Sequence, residues 1–216
     1  MSSPHSGAPR DLAEVIFGYG LILVVLWTPD SVQRALSPIA LVATLAVLLA
    51  RRPSRDELGL GWRGFVRSLW ILPAAIALAG VAMLIAAKLG TLHPLSDRNP
   101  SHVAGYVLWT LYQQVLLQDY FLPRLLRTMR NETAGISLAA TLFAAAHLPN
   151  LVLTAATLIW GAVSCLLFLR YRNLYLLGLV QGLLGLCFAV CVPDALHHHM
   201  RVGLGYLHYH ATLSVP

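Results

Sequence analysis

The strongest constraint on this chain is a group of amide side chains inside an apolar helix pattern. Residues 111–127 read LYQQVLLQDYFLPRLLR, in which Gln113, Gln114 and Gln118 interrupt a run of Leu, Val, Tyr and Phe. Apolar residues continue upstream to Val103, which makes the segment long enough to cross a bilayer. Because polar side chains at that depth are costly in lipid, they usually face a protein interior or a water-filled cavity. We therefore expect the function of the chain to lie around these amides.

The composition indicates a membrane protein. Of the 216 residues, 57% are hydrophobic and only 11% are charged, and the mean hydropathy is +0.68. In average soluble domains about a quarter of the residues are charged. A net charge of +6 would suggest nucleic acid as the partner of a soluble protein, whereas in a membrane protein the arginines report the topology. We predict an all-α, polytopic transmembrane helix bundle in contact with the lipid bilayer, without a nucleic-acid partner.

Seven apolar segments divide the chain. Residues 1–11 are polar, residues 12–192 form the predicted bundle, and residues 193–216 form a His-rich tail. Some segments are shorter than the roughly 20 residues of a perpendicular span, so six to eight spans fit the pattern and about seven is our prediction. The segments are 12–28, 36–50, 69–89, 103–122, 134–148, 151–169 and 174–192.

The basic residues predict the orientation of these segments. With a cytoplasmic N-terminus and seven alternating spans, eleven of the fifteen basic residues fall inside and four fall outside. This asymmetry follows the positive-inside rule. It predicts a multi-pass protein of the plasma membrane, which is the inner membrane in a Gram-negative cell. The four residues outside are Arg34, Lys88, Arg98 and Arg201.

Two further polar residues join the glutamines. His147 ends the fifth segment, and Gln181 lies in the middle of the seventh. Counted along each helix from its cytoplasmic end, these residues and Gln113 lie roughly 10–20 Å deep. Polar side chains at one level on three helices predict a shared polar centre. The alternative is that they only hydrogen-bond between helices, an interaction worth about 0.6 kcal/mol on average.

The proton inventory limits what such a centre can do. Glutamine side chains donate and accept hydrogen bonds but take no proton, so His147 is the one conventional base at depth. Asp119 is the nearest carboxylate, but it lies about 140° around the helix from Gln114. We therefore expect a structural role for Asp119, as the ion-pair partner of Arg124 or Arg127.

Three short motifs carry a resemblance to a known family. QQVLLQ begins at Gln113, FAAAH ends at His147, and a third motif runs from Gln181 to Gly185. They resemble, in this order, the EExxxR, FxxxH and HxxxN motifs of the CPBP family. This family is also called the Abi or CAAX-prenyl-protease-type family of intramembrane endopeptidases. LGLGW, residues 58–62, is similar to a segment that many members carry, so the resemblance covers roughly residues 55–192.

The resemblance implies roles for six positions. In the family the first glutamate activates a water, the FxxxH histidine assists, and the third-motif His and Asn stabilise the oxyanion. Gln113 then stands at the position of the base, with Gln114 as its neighbour and Gln118 in place of the arginine. His147 keeps its role. Gln181 replaces the histidine, and Gly185 removes the asparagine side chain.

These departures place proteolysis in question while the implied fold is unaffected. A glutamine does not activate water as a carboxylate does, and loss of such a base costs orders of magnitude in rate. The candidate catalytic residue is therefore His147, if the protein is active. Asn150 and Asp119, which flank the centre in sequence, are candidate binding residues.

The tail offers an alternative site. Its histidines have the ligand type of a metal site, but their spacing fits no defined zinc pattern. We favour an interfacial tail on the outer side of the membrane and predict neither a metal nor a cofactor. The residues concerned are Asp194, His197, His198, His199, His208 and His210.

Three functions remain open. The first is a non-proteolytic relative that binds a peptide, a prenylated or another hydrophobic partner through the polar centre. The second is an active membrane endopeptidase that uses His147 with Asp119 or with groups of the tail. The third is a structural membrane subunit. The missing glutamates favour the first over the second.

The charge distribution makes a testable prediction of topology. Single cysteines placed in residues 51–67 should react with an impermeant thiol reagent only from the cytoplasmic side. Cysteines placed after Pro193 should react only from the outside. Labelling of the tail from the cytoplasm alone would contradict the seven-span topology.

Overall fold

The structure of the chain, a computed structural model, describes residues 8–95, 99–129 and 131–209. Arg98, Arg130 and His210 lie outside the described residues, as do the first seven residues and the end of the tail. Within this part the structure is helical, and an isolated bridge pairs Leu60 with Asn173.

The helices follow the predicted segments closely. The fourth segment is one continuous helical rod, 100–128, formed by α5, a π-helical turn and α6. The elements are α1 (Ala8–Leu26), α2 (Asp30–Leu49), α3 (Trp62–Ser68), α4 (Ile71–Leu89), α5 (Pro100–Gln114), the π turn (Val115–Phe121), α6 (Leu122–Thr128), α7 (Glu132–Ala145), α8 (Leu151–Tyr171), α9 (Leu174–Cys191), α10 (Asp194–His197), a 3-10 turn (His198–Met200) and α11 (Gly203–Leu207).

Four of these helices are long and apolar enough to cross a membrane. They are α2, α4, α8 and α9, each of 18 to 21 residues. Helix α7 is also apolar but has only 14 residues. The described part of the chain is therefore all-α, as predicted, with four helices that could span a membrane, while the number of about seven spans stays a prediction.

The loops gather at two opposite ends of the bundle. At one end, Arg51 pairs with Asp11, and the Leu174 N–H donates to the Gly59 carbonyl at 2.9 Å. At the other end, the loop after α4 and the tail meet. There the His93 N–H donates to the Val190 carbonyl at 3.0 Å. Successive long helical segments therefore run in alternate directions.

Ion pairs with two acidic residues of α1 fasten this helix to the bundle at the first end. Asp11, which is 1% exposed, accepts from Arg51 at 2.9 Å and from Arg127 at 2.7 Å. Glu14 accepts from Arg51 at 2.8 Å and from Arg124 at 2.7 Å. Together these five residues, the α1 ion cluster, join three separate parts of the chain. Because several charges share one network, the cluster stabilises more than isolated surface pairs would.

Two glycines bring α5 and α9 into close contact. A Cβ atom at Gly178 would lie 2.8 Å from Leu111 Cγ, and one at Gly182 would lie 3.2 Å from Thr110 Oγ1. The Thr110 hydroxyl also donates to the Gly178 carbonyl at 2.9 Å. Small residues four apart allow such backbone approach between membrane helices. This contact sets the position of Gln181, which lies on α9 between the two glycines.

Filling the space at Gly178 should therefore loosen the bundle. We expect Gly178→Ala to lower stability by about 1–3 kcal/mol, because the added methyl overlaps Leu111. The measurement is the thermal midpoint of the detergent-solubilised protein. Gly80→Ala on α4 is the matched control, since no atom lies within 4 Å of its added Cβ. Equal midpoints for the two variants would contradict the role of the glycine contact.

Candidate functional site

A π-helical turn lies in the middle of the first motif. Pro123 has no N–H, so the Asp119 carbonyl four residues earlier lacks its ordinary helical donor. The Leu122 N–H instead bonds to the Leu117 carbonyl, five residues back. The Arg124 guanidinium donates to the Tyr120 carbonyl at 2.6 Å and contacts the Asp119 carbonyl at 3.5 Å. Such turns occur often at functional sites. The sequence analysis did not predict this one, and Pro123 was the available signal.

The four glutamines of the motifs form one chain of hydrogen bonds, which we call the amide chain. Gln118 Nε2 donates to Gln114 Oε1 at 3.0 Å, and Gln114 Nε2 donates to Gln181 Oε1 at 2.6 Å. Gln181 Nε2 in turn donates to Gln113 Oε1. The structure thus places the first-motif and third-motif positions in direct contact.

Helix α8 supplies the outer partners of the amide chain. Ser164 Oγ accepts from Gln118 at 3.1 Å, and Trp160 Nε1 donates to Gln181 Oε1 at 3.1 Å. Neither α8 residue belongs to a motif, and sequence reasoning missed both. A polar indole or hydroxyl inside an apolar helix was the available signal. One acceptor, Gln118 Oε1, has no partner among the described residues.

A large apolar cavity lies beside the amide chain. Its volume is about 890 Å³, and its walls come from α1, α2, α4, α5, α7, α8, α9 and the tail. Four predicted site residues, Gln113, His147, Gln181 and Gly185, line it. They therefore share one space, with the glutamines at its polar wall.

His147 borders this cavity without joining the amide chain. Its Nδ1 pairs with the Phe143 carbonyl at 2.8 Å, one helical turn back, and its ring meets the Phe143 ring edge-on at 5.1 Å. The FxxxH spacing thus produces both contacts of the imidazole. Nε2 is the ring nitrogen left for the cavity.

Tyr106 occupies the space next to Gly185. A Cβ atom at Gly185 would overlap the Tyr106 hydroxyl and lie 3.0 Å from its ring carbon Cζ. Both residues line the cavity. A side chain at position 185 would therefore require Tyr106 to move.

The prediction that Asp119 pairs with Arg124 or Arg127 is wrong. Arg124 pairs with Glu14 and Arg127 pairs with Asp11, because α1 brings two carboxylates to these arginines. Asp119 is 5% exposed, and neither of its carboxylate oxygens has a hydrogen-bond partner in the described part of the chain. Asp119 does not line the large cavity either.

The side chain of Asn150 makes hydrogen bonds with two parts of the backbone. Its Oδ1 caps α8 by accepting from the Leu153 N–H at 3.1 Å. Its Nδ2 donates to the carbonyls of His197 at 2.8 Å and Arg201 at 3.1 Å. The side chain therefore joins the start of α8 to the tail, and its predicted binding role stays a prediction.

A family profile covers most of the chain. Residues 38–187 match the profile of the type II CAAX prenyl endopeptidase Rce1-like family. The chain belongs to this family. The match confirms the resemblance to CAAX-type endopeptidases that the three motifs predicted. No curated protein and no solved structure matches the chain.

That five of the six polar positions differ from the family motifs, with only His147 unchanged, is implied by the resemblance and stays a prediction. The functional roles of all six positions stay predictions.

Cutting the amide chain should destabilise the protein. In Gln114→Leu the amides of Gln118 and Gln181 lose a partner inside the bundle, which we expect to cost about 1–3 kcal/mol. The measurement is thermal unfolding in detergent. Gln33→Leu is the matched control, because Gln33 is the remaining glutamine and lies on α2 away from the amide chain. A Gln114→Leu midpoint equal to that of the control would contradict this energetic role.

Proposed function

We propose that this Rce1-like protein is a non-proteolytic relative that holds a hydrophobic partner in its large cavity. The observation that carries the proposal is an 890 Å³ space with predominantly apolar walls beside a polar centre of glutamines. Ligand cavities of this size are mostly apolar with a few polar groups that fix orientation. A prenyl chain or the apolar part of a peptide fits this chemistry.

The groups available as a general base argue against hydrolysis. Peptide hydrolysis needs a group that takes a proton from water near neutral pH. At the base position stands Gln113, whose Oε1 already accepts from Gln181. His147 borders the cavity, whereas Asp119, the nearby carboxylate, does not. The imidazole therefore has no carboxylate of this motif beside it to orient it.

The amide chain also leaves few groups for an oxyanion. Gln114 uses both ends of its amide, and Gln181 uses Oε1 twice and Nε2 once. Stabilising an oxyanion requires donors already aimed at the developing charge. Donors engaged with each other do not meet that requirement, so the centre supports binding and orientation more than catalysis.

The membrane arrangement forms part of the proposal. We propose seven spans with a cytoplasmic N-terminus in the plasma membrane, the inner membrane of a Gram-negative cell. The alternating loop contacts support the seven segments, and the excess of arginines at the end that holds the α1 ion cluster supports the orientation. Helix α7 would then cross together with the residues that follow it, up to His147.

Blocking the cavity should abolish binding of a prenyl probe. We expect a fluorescent farnesyl or geranylgeranyl probe to bind the purified protein with saturation. Ala156→Phe should weaken this binding at least about tenfold, because the ring fills the cavity lined by Ala156. Ala87→Phe is the matched control, since Ala87 is exposed on α4 and does not line the cavity. Equal affinity in both variants, or no saturable binding, would favour a structural subunit.

The purified protein should not cleave prenylated or leader-type peptides. Chromatography with mass detection of the products is the measurement. The double variant Gln113→Glu/Gln114→Glu should remain nearly inactive, because positions 118, 181 and 185 also differ from the family motifs and Tyr106 fills the space at Gly185. Robust hydrolysis by the unmodified protein, abolished by His147→Ala and by Asp119→Asn, would establish the endopeptidase alternative.

A further inference from the structure

A second cluster of functional side chains lies where the loop after α4 meets the tail. One nitrogen or oxygen atom from each of His93, Asp194 and His197 lies within 4.8 Å of the others. We propose that these three side chains bind a divalent transition-metal ion, with zinc as the best match. Two imidazoles and a carboxylate are the ligand set of many zinc sites that keep a position open for water.

The distances fit a tetrahedral ion. Asp194 Oδ1 lies 3.3 Å from His197 Nε2 and 3.2 Å from His199 Nδ1. Zinc bonds of about 2.0–2.2 Å at tetrahedral angles place neighbouring ligand atoms about 3.3–3.5 Å apart. The carboxylate oxygen therefore already stands at ligand spacing from two imidazole nitrogens. His199 is outside the group of three mutually close side chains, although it contacts the same carboxylate oxygen.

A small cavity gives the ion its space. Its volume is about 60 Å³, and its lining includes His93, Asp194, His197 and His199. A water needs about 10–15 Å³ measured with a similar probe, so an ion and a bound water both fit. The cavity also lies against Met200, which lines the large apolar cavity as well. The two spaces thus share one wall residue.

The surrounding structure positions two of the imidazoles. His197 is 1% exposed, and its ring packs against Phe188 with centroids 5.4 Å apart. His93 is held through its backbone N–H on the Val190 carbonyl, and its Nδ1 lies 3.2 Å from the Pro94 carbonyl. In the tautomer that donates from Nδ1 to this carbonyl, Nε2 can be the metal ligand once it leaves the Val192 carbonyl, which is the usual outer-shell arrangement.

Binding requires a change at both imidazoles. The Nε2 atoms of His93 and His197 now both lie near the Val192 carbonyl, at 3.0 and 2.9 Å. His197 Nδ1 accepts from the Met200 N–H at 3.0 Å, so the ring proton resides on Nε2. An ion on Nε2 moves this proton to Nδ1, and the bond from the Met200 N–H is lost.

The backbone is strained where this change occurs. His198, His199 and Met200 have φ values of 47°, 52° and 58°, three successive residues in the left-handed region without a glycine. Such conformations cost about 1–3 kcal/mol each and cluster at ligand clamps and switches. Release of the Met200 N–H gives the tail a route to a less strained form around the ion.

Zinc binding by the full chain in detergent tests the proposal. Titration calorimetry of the metal-stripped protein should show one zinc per chain. The variants His93→Ala and Asp194→Asn should each weaken binding by about 10- to 100-fold. His208→Ala is the matched control, because His208 is an exposed histidine of the same tail that does not line the small cavity. Its affinity should equal that of the unmodified protein.

A second measurement needs no variant. Cobalt(II) in the unmodified protein should give the intense visible absorption of a four-coordinate ion, and zinc should displace it. Zinc should also raise the thermal midpoint reversibly, with EDTA restoring the original value. A weak six-coordinate cobalt spectrum, no saturable zinc binding, or equal zinc affinity in His93→Ala, Asp194→Asn and His208→Ala would overturn the site. None of these outcomes depends on a ligand in the large cavity.

Discussion

Mutual hydrogen bonding of buried amides is the interaction on which the interior of this protein depends. Inside a bilayer the amides have little water to pair with, so each must find its partner on a neighbouring helix. Gln114 and Gln181 meet because Gly178 and Gly182 let α9 approach the backbone of α5. The glycine contact and the amide chain therefore support each other. A larger residue at either glycine would separate the two halves of the polar centre.

The same interaction determines what chemistry the centre can perform. Groups that satisfy one another stabilise the bundle but are not available to activate a water or to hold a developing negative charge. The chain belongs to the Rce1-like family, Tyr106 fills the space beside Gly185, and mainly apolar side chains line a large cavity. Under the function that we propose, this cavity holds an apolar chain with one end near the glutamines and His147.

The two ends of the bundle are fastened by different chemistry. At one end the α1 ion cluster, with Asp11 and Glu14 as its acids, joins α1 to α6 and to Arg51 in the loop after α2. At the other end, neutral contacts from Asn150 and the histidine cluster hold the tail against the bundle. The α1 ion cluster persists at any pH at which its carboxylates are ionised. The second has the ligand types through which a metal ion could tighten it.

The sequence by itself determined the class of fold, the family and the positions of the helices. These follow from hydropathy and from local motif spacing, which do not depend on the rest of the chain. The predicted segment 36–50 became a full helix from Asp30 to Leu49, whereas the segment near α7 stayed short. Observed helix boundaries differ from the predicted ones where caps and loops end the helices, because the hydropathy pattern does not report caps or loops.

Only the tertiary structure decided which side chains meet. Asp119 was expected beside Arg124, but α1 supplies Glu14 to that arginine through a contact between residues 110 positions apart. His93 joins Asp194 in the same way, across a distance in sequence that no spacing pattern covers. Helix packing decides which of several similar charged or imidazole side chains come into contact. Single-sequence patterns do not encode that packing.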